Sequence, residues 1–399
     1  MNKKNKYIKI INILPSLNIG GAQKSLLAIS DSDHNYNIKR KVITIISKDG
    51  ALKNKFIKKN IKHYNCPIIL NDNNWRPYRL FKVFRKLGSC TFSLRLLFYL
   101  FKDDSQIVCS NDGTRILTQI ITSLLSGKKF IWIINTEEII IKKKYMSLIN
   151  ILLKYKFIKI ISISKAILQK NFSDIVKENN ILNNNLHIIP SGRNINLFYN
   201  EIKNREKNKK YFKIKKDEII IGTIGRLHWS KGYSKLLKSF FQIKNEFSKN
   251  VKLFIAGDGP LKKDLSKLIK DLNLHKEVEL LGFISDIPQF LVSLDLYVQP
   301  SISEGLCGSV IEAISANVPV VVSNTGGLKE LISNNNSGLI VKYNNVESLT
   351  ETLIKMINMS KFKKDQMIKN AYRKIQPFEI NKIAAQYNMI YNDVLQIKD

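Results

Sequence analysis

The chain has 399 residues, 44% of them apolar and 24% charged, which is too long for one ordinary core and suits two domains. Its 65 Lys and Arg against 32 Asp and Glu give a net charge of +33, which points to anionic partners: nucleic acid, an acidic membrane or phosphorylated substrates. No run of about 18 uncharged apolar residues exists, so no transmembrane helix is expected. Cys66, Cys90, Cys109 and Cys307 show no CxxC or Cys/His metal spacing, so a reduced, cytosolic protein without a metal site is expected.

Along the chain, short Ile- and Val-rich runs alternate with longer amphipathic stretches. That pattern predicts parallel strands covered by helices on both faces, in two doubly wound sheets facing across a cleft. The N-terminal stretch reads as a first buried strand, Ile8–Leu14, and not as a signal peptide. Gly20 and Gly21 follow it, just before a predicted helix, and allow a backbone to approach a ligand closely. Asp31-Ser32-Asp33 follows that helix instead of ending a strand, so it reads as a solvated loop and not as a metal site. Lys41–Ser47, Gln106–Cys109, Lys129–Ile134, Lys159–Ile163 and Leu186–Ile189 are the next predicted strands. Between them, Trp75 to Lys102 and Lys142 to Lys156 mix Lys and Arg with aromatic and aliphatic residues, a character that suits either a basic-edged core helix or an anionic membrane surface.

The polar, highly charged segment 200–217 is the predicted linker. It separates a first domain, 1–199, from a second, 218–375. In the second domain the predicted strands are Ile219–Gly222, Val251–Ala256, Val278–Leu281, Leu296–Gln299 and Val318–Val322. The first is followed by TIGRLHWSKGY, where Gly225 and Gly232 flank Arg226 and Lys231; a fork-shaped Arg and a point-charge Lys on a glycine turn suit a diphosphate. Gly257 opens the run Gly-Asp-Gly-Pro after the next strand, a weak phosphate signal by itself. After Leu296–Gln299 comes PSISEGLCGSVIEA, with Glu304 in a turn and Glu312 in a predicted helix. A helix N-terminus attracts anions, and two carboxylates placed there suit sugar hydroxyls and a developing carbocation. The final segment, 376–399, reads as an amphipathic helix with Ile380, Ile383, Ala384, Tyr387, Ile390, Tyr391 and Leu395 near one face.

Taken in order, GRLHWSKG, AGDGP, LLGFISDIPQFL, PSISEGLCGSVIEA, PVVVSNTGGLKELI and SGLIV resemble the retaining glycosyltransferases of family 4, which have the GT-B fold. NIGGAQ, SISKA and IIPSGRNINLF carry a weaker resemblance through the first half. The resemblance implies that Arg226 and Lys231 bind the donor diphosphate, that Glu304 lies at the donor sugar, and that Glu312 holds the ribose hydroxyls. It implies that Gly305 and Leu306 present backbone N–H groups, that Gly20 and Gly21 form a first-domain loop over the reacting centre, and that the final helix returns to the first domain. The nucleotide-sugar is then a co-substrate, and no cofactor is expected. The expected partners are that donor, a glycan or lipid-linked glycan acceptor and an anionic membrane surface at its cytoplasmic side.

The chain departs from the family pattern in three places. Asn135 stands where many members have a histidine; it can hydrogen-bond a sugar hydroxyl but cannot carry an imidazolium charge. Asn111 or Asp112 is an alternative contact. Ser191-Gly192-Arg193-Asn194 replaces a frequent Asn-Gly-Val-Asp, and Arg193 is a candidate phosphate or acceptor contact. Cys307 replaces a frequent glycine. The expected function is transfer of a sugar to a lipopolysaccharide or capsule precursor. The alternatives are a nucleotide-sugar epimerase or hydrolase, an inactive transferase and a basic nucleic-acid-binding protein.

Overall fold

The computed structural model describes residues 7–47, 49–66, 80–111, 113, 115–136, 145–177, 185–246 and 250–396, without the side chains of 80–90 and 174–177. Trp75, Asp112, Glu137, Glu138 and the beginning of the Lys142 to Lys156 stretch lie outside the described residues. The chain divides into two compact units, Met1–Gly192 with Ile380–Asp399, and Arg193–Glu379.

The first unit holds strands β1 (Ile8–Leu14), β2 (Ile38–Thr44), β3 (Lys62–Asn65), β4 (Ile107–Ser110), β5 (Lys129–Ile134), β6 (Ile158–Ser162) and β7 (Leu186–Ile188). They form one sheet in the order β3-β2-β1-β4-β5-β6-β7, parallel throughout. The second unit holds β8 (Ile219–Ile224), β9 (Val251–Ala256), β10 (Val278–Gly282), β11 (Leu296–Gln299), β12 (Val320–Ser323) and β13 (Leu339–Val341). Their order is β10-β9-β8-β11-β12-β13, again all parallel. The central strands are apolar on both faces, as β4, β6, β11 and β12 show by being buried at every residue, because helices cover both sides. Each sheet therefore reverses its strand order once, between β1 and β4 and between β8 and β11.

Two strands escape the hydrophobic pattern. β3 is a polar edge strand, Lys-His-Tyr-Asn, and β13 has only three residues. β2 begins at Ile38, earlier than the predicted Lys41, because Arg40 is buried in it. Arg40 can be buried because its Nε donates to both oxygens of Asp33, at 2.9 and 2.7 Å, while its Nη1 lies 3.3 Å from the Tyr391 hydroxyl.

That pair overturns the solvated-loop reading of Asp31-Ser32-Asp33. Asp33 is paired with Arg40, Asp31 with Lys59, and Ser32 is buried and donates to Asn381 Oδ1 at 3.0 Å. The segment anchors the helix Ile380–Leu395, which lies on the first unit's core. Five large side chains of this helix, Ile380, Ile383, Tyr387, Ile390 and Tyr391, are buried, each contributing about 1.5–3 kcal/mol before the entropy of ordering. Lys159 adds an ion pair to Asp393 at 2.6 Å.

The predicted linker is also ordered differently. Residues 200–217 carry most of the helix Tyr199–Lys203 and all of the helix Arg205–Tyr211, and belong to the second unit. Charge made the segment look unstructured, yet the charges are used: Arg205 and Lys209 both bond Asp295 Oδ1, at 2.8 and 3.0 Å, and Asp295 Oδ2 accepts from the Ile220 amide at 2.9 Å.

Candidate active site

In a doubly wound sheet, ligands bind beyond the carboxyl ends of the strands where the order reverses. In the second unit that point lies between β8 and β11. The loop after β8 carries Gly225 to Gly232, and the loop after β11 carries Pro300 to Cys307, followed by the helix Gly308–Ser315. The two loops are tied together, since the Ile302 amide donates to Ser230 O at 2.8 Å. A third loop braces them: Thr325 Oγ1 donates to Ile302 O at 3.0 Å and the Gly327 amide to Gly305 O at 3.0 Å.

This bracing brings Lys231 and Glu304 together across 73 residues of sequence. Lys231 Nζ donates to Glu304 Oε1 at 2.6 Å and Oε2 at 2.8 Å, and only 20% and 12% of the two side chains is exposed. Burial works against the ammonium, but the neighbouring Glu304 carboxylate outweighs it and holds Lys231 above its ordinary value. An ammonium has three donors, so the pair leaves Lys231 one N–H for a further oxygen.

Behind the pair lies a buried polar cluster that sequence reasoning missed. Tyr297, fully buried in β11, has its hydroxyl 2.7 Å from Gln299 Oε1 and 2.8 Å from Ser309 Oγ. Gln299 Nε2 donates to Ser301 Oγ at 2.8 Å, and Cys307 Sγ lies 3.1 Å from Ser309 Oγ. Burial and the nearby Glu304 push the Cys307 thiol up to about 12, so it is a neutral packing group. The available signal was a Tyr and a Gln in a short strand buried on both faces, where each polar tip needs a partner.

Glu312 faces a different cation. Arg193 Nε lies 3.0 Å from Glu312 Oε1, with 13% and 18% of the side chains exposed. Arg193 is fixed by its own backbone, whose amide donates to Phe378 O at 2.9 Å. Its guanidinium lies so near Gly308 that a Cβ there would sit 1.6 Å from Nη2; the glycine makes room for the arginine. Cys307 caps the helix Gly308–Ser315 without a side-chain hydrogen bond, so the first-turn amides remain able to serve an anion.

The remaining predicted residues divide into those near the pair and those in the other unit. Arg226 is exposed and makes no ion pair among the described residues. Gly257 has φ +142°, and a Cβ there would meet Gly225 O at 1.9 Å; the two glycines let the loops after β8 and β9 touch. Gly305 is half-buried and Leu306 buried. Gly20 and Gly21 belong to the first unit, where Gly20 precedes the helix Gly21–Ser30 in extended conformation. Asn135, also in the first unit, lines a small pocket with Asn12, Asn111, Arg40, Tyr387 and Tyr391. Asn12 Nδ2 and Oδ1, Asn111 Oδ1 and Asn135 Nδ2 are buried there without hydrogen-bond partners among the described residues.

Residues 204–374 match the family model of glycosyl transferases group 1. This stretch is similar to the group 1 glycosyl transferases. The matched stretch holds Arg226, Lys231, Glu304 and Glu312, whereas Arg193 precedes it. An uncharacterized glycosyltransferase of Methanocaldococcus jannaschii is 32% identical over 64% of this chain and 63% of its own. The UDP-Gal:alpha-D-GlcNAc-diphosphoundecaprenol alpha-1,3-galactosyltransferase of Escherichia coli is 29% identical over 53% of this chain and 54% of its own. The chain thus spans about half to two-thirds of the length of these curated relatives. A crystal structure of a glycosyltransferase from Rickettsia africae ESF-5 superposes with a TM-score of 0.76 at 20% identity, covering 99% of this chain and all of that one. The two sheets, one of seven and one of six parallel strands, are those of the GT-B fold.

Proposed function

We propose that the chain is a retaining glycosyltransferase of family 4. In this reading it moves a sugar from a UDP- or GDP-sugar to a cell-surface glycan precursor of lipopolysaccharide or capsule type, on a lipid-linked acceptor at the inner face of the cytoplasmic membrane. The observation that carries it is the Lys231–Glu304 pair at the strand-order reversal of the stretch similar to the group 1 glycosyl transferases. The acceptor class is supported by the E. coli relative, whose name places its acceptor sugar on diphosphoundecaprenol.

In this reading the bond from the anomeric carbon to the diphosphate oxygen breaks as the acceptor hydroxyl oxygen bonds to the same face of that carbon. The hydroxyl proton passes to the departing phosphate oxygen. Positive charge grows on the sugar ring and negative charge on the diphosphate. Glu304 stabilises the first, while Arg226, the free N–H of Lys231 and the amides at Gly305, Leu306 and the helix start stabilise the second. Glu312, oriented by Arg193, takes the ribose hydroxyls. Because side chains and amides supply the positive charge, activity should survive metal chelation.

The test is a panel of UDP-, GDP- and ADP-sugars incubated with the protein, with and without membrane extract, in the presence of EDTA. Nucleotide release that depends on the extract and vanishes in Glu304→Gln is expected. Undiminished release in that variant would falsify the assignment of the site, and release indifferent to extract would favour a hydrolase.

A further inference from the structure

The positive charge of this chain is uneven. Residues 1–192 contain 33 Lys and Arg against 11 Asp and Glu, while residues 193–399 contain 32 against 21. Two-thirds of the net charge therefore lies on the part of the chain that does not match the glycosyltransferase model, where a diphosphate-binding site does not account for it.

Part of that charge lies beside exposed apolar side chains. The helix Leu80–Lys102 is apolar on two sides. Phe92, Leu96 and Leu100, four residues apart, are buried. Leu94, Phe98 and Phe101 are each more than 60% exposed. Apolar side chains on both sides of a helix are ordinarily enclosed by protein or by lipid, and among the described residues protein covers this helix only on the side of Phe92, Leu96 and Leu100. The helix Ile116–Leu125 packs along it and exposes Ile121 and Leu125, the latter by 62%.

Topology extends the surface. The chain moves in one direction from β3 to β4, β5 and β6, and right-handed crossovers place the three intervening helices on one face of the sheet. The third, Met146–Lys154, exposes Ile151, and the turn after it exposes Tyr155 and Phe157. None of the three helices contains an Asp or Glu. Arg95, Lys102, Lys154 and Lys156 are exposed among the apolar groups, and Lys102 Nζ lies 4.2 Å from the Phe98 ring centre. The opposite face of the sheet is covered by the helices Gly21–Ser30 and Ile380–Leu395, which pack on each other.

We propose that this three-helix face of the first unit docks on the surface of an anionic lipid bilayer, with Leu94, Phe98 and Phe101 entering the headgroup region and Arg95, Lys102, Lys154 and Lys156 meeting lipid phosphates. An apolar side chain there is withdrawn from water, and a flanking cation is attracted to the negative leaflet. A protein interface adds about one hydrogen bond per 100–200 Å² to its apolar core; a bilayer asks only for apolar groups ringed by cations, which is what these helices present. The face deepens the membrane location given above but stands apart from the chemistry at Glu304.

The test is vesicle co-sedimentation of the full chain, with phosphatidylglycerol-containing vesicles set against phosphatidylcholine vesicles. Two charge-matched variants are compared, Arg95→Glu with Lys102→Glu on the face and Lys263→Glu with Lys267→Glu on an exposed helix of the second unit. A third variant, Phe98→Ser with Phe101→Ser, leaves charge unchanged. Binding to the anionic vesicles is expected to fall by about tenfold or more in the first and third variants and less than about twofold in the second. Glu304→Gln should bind as the parent does, so a failed catalytic assignment leaves this result readable. Equal binding to both vesicle types, equal loss in both charge variants, or a patch that instead dimerises the chain by light scattering would each overturn the proposal. So would binding to random-sequence DNA that competes with vesicles and is lost in the same variants.

Discussion

The two units share a strand order around their reversal points, yet fill those points differently. Beyond β8 and β11 lies the pair Lys231 with Glu304, in loops held by a hydrogen-bond scaffold, and the helix that follows β11 carries Glu312, paired with Arg193. At the corresponding end of the first sheet lie neutral amides, Asn12, Asn111 and Asn135, with buried atoms that find no partner among the described residues. Arg40 lines the same pocket, but its buried ion pair with Asp33 seats the last helix. A shared strand order therefore places a site without specifying its chemistry: one unit sets its buried charge at the proposed ligand position, the other in its own assembly.

Breaking the structural pair should have the largest effect. Asp33→Ala strands a fully buried guanidinium and is expected to destabilise the first unit by about 3–5 kcal/mol, read by denaturant unfolding; a small loss would mean that Tyr391 alone satisfies Arg40. Next comes Glu304→Gln, expected to lower kcat for nucleotide release by about 10²–10³ while leaving the fold in place by circular dichroism. Arg193→Ala should be milder. It releases the Glu312 carboxylate and is expected to raise KM for the donor about tenfold, the worth of a hydrogen bond to a charged group, with kcat little changed. The smallest effect is expected at the amide pocket. Asn12→Leu removes two unpartnered polar atoms from the core, so Tm should stay level or rise slightly, by the equivalent of about 1 kcal/mol. A large loss of activity in that variant would show that the two units differ less than their charges indicate.

Much of this was legible in the sequence, for identifiable reasons. Continuous apolar runs mark buried parallel strands, so β1, β5, β9 and β11 have the predicted limits. The Glu304–Glu312 segment was legible because strand, turn and helix start follow one another within fifteen residues. What was not legible depended on partners distant in sequence. Arg40 hid the start of β2 until Asp33 was found beside it, and segment 200–217 looked like a solvated linker until Asp295 was found to collect its cations. Lys231 and Glu304 could each be named singly, but nothing in either stretch said they would pair.

The first unit is discontinuous in sequence: the chain leaves it at Gly192 and rejoins it at Ile380. During synthesis the whole second unit emerges before the last helix is available, an interval of about 10–40 s at about 5–20 residues per second. Until then the bed for that helix, including Ile8, Ile10, Ile131 and Ile133, has no cover. The second unit can fold while still tethered to the ribosome, but the first can be completed only once the helix Ile380–Leu395 has emerged. A nascent chain stalled before Ile380 would present that apolar bed to chaperones, and one whose helix Ile380–Leu395 has cleared the exit tunnel would not.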